Sequence, residues 1–155
     1  MKINEILYYF LSKYPHSDEL SKTRLTKMVY LADWFSARKN GRQLTDIDWY
    51  FDHYGPYVSD VYEVAKEDEN INIERSFSQF GSPKEVIRLV GEEGYFTKLN
   101  IEDVKILDEV IENTKQLYWN DFINFVYSSY PIKTNSRYSY LKLVELAEQE
   151  KNNNK

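Results

Sequence analysis

Apolar residues recur three and four apart from the first turn of the chain. Ile3, Ile6, Leu7, Phe10, Leu11 and Tyr14 fall on one helical face, and Pro15 stops that helix. Leu25, Met28, Val29, Ala32 and Phe35 give the inward face of a second helix, whose remaining surface carries further apolar residues. A helix with so little polar face is buried on several sides, so this one is expected to be the spine of the domain. Ser21 is placed to cap its first turn. Asn40-Gly41 is placed to end it, because glycine accepts the left-handed backbone of a helix terminus.

Beyond Gly41 the period changes. Asp46-Ile47-Asp48-Trp49-Tyr50-Phe51 begins by alternating polar and apolar residues, as a short strand does. Pro56, after Gly55, fits the first turn of a helix that carries Val58, Val61, Tyr62 and Ala65 inward and closes in solvent at Lys66–Asn70. Ile71, Ile73, Arg75 and Phe77 alternate with polar neighbours, and Val86–Val90 is a β-prone run. Gly81-Ser82-Pro83 between them marks a hairpin with a long tip.

Asn100 and Asp103 have the spacing of a capping box ahead of Val104, Leu107 and Ile111. Glu102, Asp108, Glu109 and Glu112 form an acidic stripe on the outer side, expected to be solvated. Phe122, Phe125 and Val126 belong to a further helix ended by Tyr130-Pro131, and Tyr138, Leu141, Val144 and Leu146 to a last one. The pattern predicts a mostly α (α+β) fold, a bundle of about six helices with a small antiparallel β-hairpin. One domain is expected over residues 1–150, with a disordered tail over 151–155.

Composition narrows the function classes. The 155 residues include no cysteine, which removes disulfides, thiolate metal sites and thiol catalysis together. A net charge of −5 argues against nucleic acid as a bulk electrostatic partner. Fourteen tyrosines fit either a compositional bias or a tyrosine-rich binding surface. Lys2, Asn4 and Glu5 interrupt the first apolar residues, and no apolar run approaches a membrane span. A soluble, cytoplasmic protein is expected.

Candidate chemistry is sparse. Asp46, Asp48, Asp52 and His53 are the one carboxylate–imidazole cluster, but on a strand the three aspartates share a face that His53 does not. His16 follows Pro15 in a loop with no nearby partner. No phosphate loop, nucleophile elbow, H-E-x-x-H pair or dinucleotide fingerprint is present, so no catalytic, metal or cofactor residue is assigned. Arg24, Lys27 and Arg38 lie on one side of the spine helix with Leu31 and Trp34, either as a basic contact edge or as solvated cations around a buried ring. Tyr54-Gly55-Pro56 is either a structural corner or a place where free helix N–H groups receive a partner's carbonyl or carboxylate. Two alternatives stay open: a winged-helix-like nucleic-acid reader using Arg75, Lys84 and Arg88, and a divalent-metal enzyme using Asp46, Asp48 and Asp52.

The ordered set Leu25-Thr26-Lys27-Met28-Val29-Tyr30-Leu31-Ala32, Gly41-Arg42-Gln43-Leu44-Thr45, Trp49 and Tyr54-Gly55-Pro56 resembles the SocA-like antitoxins, the Panacea domain family. Val61-Tyr62 resembles the apolar-Tyr pair of the helix that follows. The resemblance is strong over residues 20–65 and weaker afterwards. Tyr57 stands where the family usually has Val, and Ser128-Ser129-Tyr130-Pro131 lacks the His and Trp common there, as in a divergent branch. The resemblance implies an antitoxin of a two-gene system, found also in prophage and mobile elements. It would neutralise a cognate toxin by direct protein–protein binding, with presentation to a cytosolic AAA+ protease as a further route. No length is expected to remain for a separate DNA-binding module. Trp34, Trp49, Tyr54, Gly55, Pro56 and Tyr57 are the partner-binding residues expected on motif prominence and interface chemistry.

Overall fold

The computed structural model describes residues 2–15, 17, 20–77, 80–91 and 98–154. The first helix, α1 (Lys2–Lys13), buries Ile6, Leu7 and Phe10 completely. Helix α2 (Lys22–Asn40) follows, and every residue from Leu25 to Ala37 is buried. Its ends are made as the sequence requires. The Ser21 hydroxyl accepts from the Arg24 N–H at 3.2 Å, and Gly41, at φ 71°, donates to the Ala37 carbonyl at 3.1 Å. The spine expectation holds because no face of this helix is left to water.

Strands β1 (Trp49–Asp52) and β2 (Gly55–Pro56) form a tight antiparallel pair, with Phe51 opposite Pro56 and Asp52 opposite Gly55. Helix α3 (Asp60–Glu67) begins four residues after Pro56, with Ser59 at its N-cap. Pro56 is therefore a strand residue and not a first-turn residue. Its neighbour Tyr57 continues the ladder, donating to the Tyr50 carbonyl at 3.0 Å. The end of α3 is also less solvated than its charges suggest, because the Asp68 carboxylate accepts from Tyr8 and, at 2.6 Å, from the Asn4 side chain.

Strands β3 (Ile71–Phe77) and β4 (Pro83–Leu89) form the expected hairpin, in register from Ile71–Leu89 to Phe77–Pro83. It docks through Leu20, whose carbonyl accepts from Ile87 at 2.9 Å. Helix α4 (Ile101–Thr114) carries a complete capping box between Asn100 and Asp103. Its acidic stripe is not simply solvated. Glu109 pairs with Lys39 and Glu102 with Arg42, so the stripe receives one cation from the end of α2 and one from the link just beyond it, and Asp108 accepts from Tyr9.

Helices α5 (Trp119–Tyr127) and α6 (Tyr130–Thr134) come next. Pro131 stands in the first turn of α6, where a missing N–H costs nothing, so Tyr130-Pro131 starts a helix instead of only ending one. Strand β5 (Tyr140–Leu141) pairs with β1, giving the sheet order β2-β1-β5. Tyr138, expected in the last helix, instead lies before β5 at φ 68°. Helix α7 (Leu143–Asn153) packs against α2 and continues through Lys151–Asn153, which were expected to be a disordered tail. Seven helices among the described residues surround two small antiparallel sheets, so the mostly α (α+β) class holds.

Candidate functional site

The corner after β1 is fixed from both sides. His53 and Tyr54 make the turn, and Gly55 follows at φ 104°, a backbone that residues with a side chain rarely adopt. A Cβ at Gly55 would stand 3.2 Å from Tyr127 Cε1 and 3.7 Å from Lys27 Cε. Glycine is thus required twice, by conformation and by the close approach of α2 and α5. The helix N–H groups imagined at this corner belong to α3, which starts at Asp60.

Lys27 reaches the corner from inside the protein. It is 2% exposed, and its amine lies 3.5 Å from the Pro56 carbonyl and 5.8 Å from the centre of the Tyr57 ring. Burial pushes its pKa down to about 8, and the Asp52 carboxylate opposes that shift. Of the three cations on this side of α2, Lys27 is buried, Arg24 is half-buried and Arg38 is exposed beside the buried Trp34 ring. Arg24 donates to the carbonyls of Thr114 and Leu117, finishing α4, and its guanidinium lies 4.3 Å from the Phe122 ring centre. Arg38 pairs with Glu150 at 3.0 Å.

The link from Gly41 to Trp49 folds around one buried carboxylate. Asp33, on α2, accepts from the backbone N–H groups of Leu44 at 2.8 Å and Thr45 at 2.9 Å. It also accepts from Trp49 Nε1 at 2.8 Å, from Gln43 Nε2 at 3.3 Å and from the Thr45 hydroxyl. Burial pushes the Asp33 carboxyl up to about 6, with the Thr45, Trp49 and Leu44 donors pulling the other way. Asp33 is not among the residues that the sequence pattern singles out. The signal was present: a single acid in a run of buried positions needs several donors, and Gln43-Leu44-Thr45 supplies them.

The structure separates the six expected partner-binding residues. Trp49 is fully buried, edge-on to Tyr30 with ring centres 5.5 Å apart. Trp34 is 2% exposed and stacks on Tyr130 at 6.4 Å. Neither tryptophan offers a ring to a partner; both are core, because α2 has no free face and Trp49 points inward from β1. Gly55 and Pro56 are buried as well. Tyr54 is 75% exposed, and Tyr57 is half-buried.

Around Tyr54 the chain gathers aromatic residues that sequence reading did not connect. His53 lies edge-on to Tyr54 at 4.5 Å and hydrogen-bonds the Tyr138 hydroxyl at 3.2 Å. Arg137 donates to the His53 carbonyl at 2.9 Å. On the outer face of the sheet Tyr50 and Tyr140 meet with ring centres 5.0 Å apart. The alternation Tyr138-Ser139-Tyr140-Leu141 was the available signal, obscured by the helical periodicity of the residues after it.

A family model for the antitoxin SocA-like, Panacea domain matches residues 25–131. The chain belongs to the SocA-like antitoxin, Panacea domain family. The matched segment opens at Leu25, the first of the buried run in α2, and closes at Pro131 in α6. It therefore contains the Asp33 centre, Lys27, the Gly55 corner and Tyr127, whereas Tyr138, β5 and α7 follow it. No curated protein and no solved structure matches the chain.

The remaining candidates fall elsewhere in this Panacea domain. Asp46 and Asp48 are exposed in the link, Asp52 is half-buried near Lys27, and His53 turns to Tyr138. Among the described residues no group of three or more His, Cys, Asp or Glu could hold a metal ion. On the hairpin, Arg88 pairs with Glu74 at 2.8 Å, and Glu85 lies opposite Arg75, so the proposed wing alternates in sign. His16 lies outside the described residues. No described helix is long and apolar enough to cross a membrane.

Proposed function

We propose that this Panacea domain is the antitoxin of a toxin–antitoxin pair. It binds its cognate toxin directly in the cytoplasm and covers the toxin's active or membrane-inserting surface. The family match over residues 25–131 carries the reading. The corner supports it physically: a turn clamped by Lys27 and Tyr127 is pre-organised, so little ordering entropy is lost on association. Tyr54 and Tyr57 are the contact residues in this reading. Gly55 and Pro56 hold them in place, and Trp34 and Trp49 keep the underlying core rigid. Neutralisation of this kind asks for no chemistry on a substrate.

The test is co-expression with the adjacent small reading frame. That frame alone is expected to arrest growth, and this protein to restore growth and co-purify with its product. If the adjacent product is harmless, or if growth stays arrested and no complex forms, the reading is wrong.

A further inference from the structure

An open groove of about 920 Å³ runs along the outer face of the β2-β1-β5 sheet, between the Asp46–Tyr50 link and the start of α7. Its floor is aromatic, with Tyr50 and Tyr140 in contact and Tyr57 beside them. Its rim is acidic. Asp46, Asp48, Asp60 and Glu145 face it, against the single cation Lys142.

These four carboxylates converge on one groove, whereas several acids elsewhere on the molecule are neutralised. Glu74, Glu85, Glu102, Glu109, Glu112 and Glu150 are each paired with a lysine or arginine. The four groove carboxylates are exposed and have no ion pair or hydrogen bond among the described residues. An uncompensated acidic rim over tyrosine faces is complementary to one kind of partner group, a cation on a stem that can lie on the rings.

We infer that this groove takes a Lys/Arg-bearing segment of the toxin, with its cations between the acidic rim and the faces of Tyr50, Tyr57 and Tyr140. The inference rests on the antitoxin reading and names the surface and partner chemistry for it. A second copy of this chain is a poor occupant, since its net charge of −5 would meet a rim of the same sign. The wall formed by β5 and α7 lies beyond the family-matched segment.

The test has two arms, each with wild type and the variant D46N/D48N/D60N/E145Q, whose fold is checked by circular dichroism. In the first, an oligo-arginine peptide is titrated into protein with isotope-labelled tyrosines. Shifts at Tyr50, Tyr57 and Tyr140, weakened about tenfold or more in the variant and by added salt, are expected. Shifts confined to other tyrosines, or equal binding by the variant, overturn the inference, as does self-association that the variant abolishes. In the second arm, the adjacent-frame product is captured by both proteins. Weaker capture and rescue by the variant support the groove. Wild-type rescue matched by the variant overturns the groove and leaves the antitoxin reading standing. No capture by wild type overturns the antitoxin reading, and with it the toxin as occupant, whatever the peptide shows.

Discussion

Trp49 Nε1 donates a 2.8 Å hydrogen bond to Asp33 Oδ2, joining the first strand to the middle of the spine helix inside the protein. Both residues are completely buried. The bond decides the path of the chain between α2 and β1, because the same carboxylate also holds the N–H groups of Leu44 and Thr45. Trp49→Phe keeps most of the ring but removes this donor, leaving Asp33 one partner short. A loss of about 1–3 kcal/mol is expected in urea unfolding, with helical content unchanged.

Asp33 also imposes a pH dependence. Its carboxyl is raised to about 6 in the folded protein, above the ordinary value it takes in the unfolded chain. Between about pH 4 and pH 6 the folded state therefore holds a proton that the unfolded state has released. Stability from this group is full below pH 4 and is lost as pH rises through about 6, a change of about 3 kcal/mol at most. The unfolding free energy of wild type minus that of Asp33→Asn should fall as pH rises over that window. A difference that is flat or grows with pH would show that the five donors outweigh burial.

Lys27 works in the opposite window. Its amine titrates near 8 in the folded protein and near its ordinary value in the unfolded chain, so above pH 8 the unfolded state binds more protons. Stability should rise as pH increases from about 8 to about 10. Lys27→Met keeps an unbranched stem without the charge. It should be at least as stable as wild type at pH 7, and the rise should be flatter when unfolding free energies are compared across this range.

Gly55→Ala meets both backbone strain and the Tyr127 ring. A loss of about 2 kcal/mol or more is expected by chemical denaturation. Combining it with Tyr127→Ala should recover the steric part and leave the backbone part. The double variant should therefore lose less than the sum of the two single changes.

Tyr54→Ala removes a ring that is 75% exposed. Stability should stay within about 0.5 kcal/mol of wild type. If the corner contacts the toxin as proposed, affinity for the adjacent-frame product should fall about tenfold or more by calorimetry. Unchanged affinity would move the contact surface away from this turn.

Several elements were legible in the chain because their causes are local. The 3.6-residue apolar period, the Ser21 and Asn100 caps, the left-handed Gly41 and the alternation across residues 71–77 depend on neighbours a few positions away. The family was legible too, since the Leu25–Ala32 run and the Gly-Pro corner carry its pattern. The fate of individual polar and aromatic residues was not. Whether Trp34 is a surface anchor or core depends on Tyr130, and whether Pro56 begins a helix or a return strand depends on the ladder to Tyr50. The groove required Tyr140, distant in sequence, to arrive beside Tyr50.

The sequence by itself thus determined the main helices, the hairpin and the kinship with SocA-like antitoxins, because periodicity, capping and motif order are written along the chain. Only the tertiary structure decided which groups face water. Burial and hydrogen-bond pairing are set by residues far apart in the chain: Asp33 meets Trp49, Lys27 meets the Gly55-Pro56 corner, and the carboxylates around Tyr50 and Tyr140 make no ion pair among the described residues.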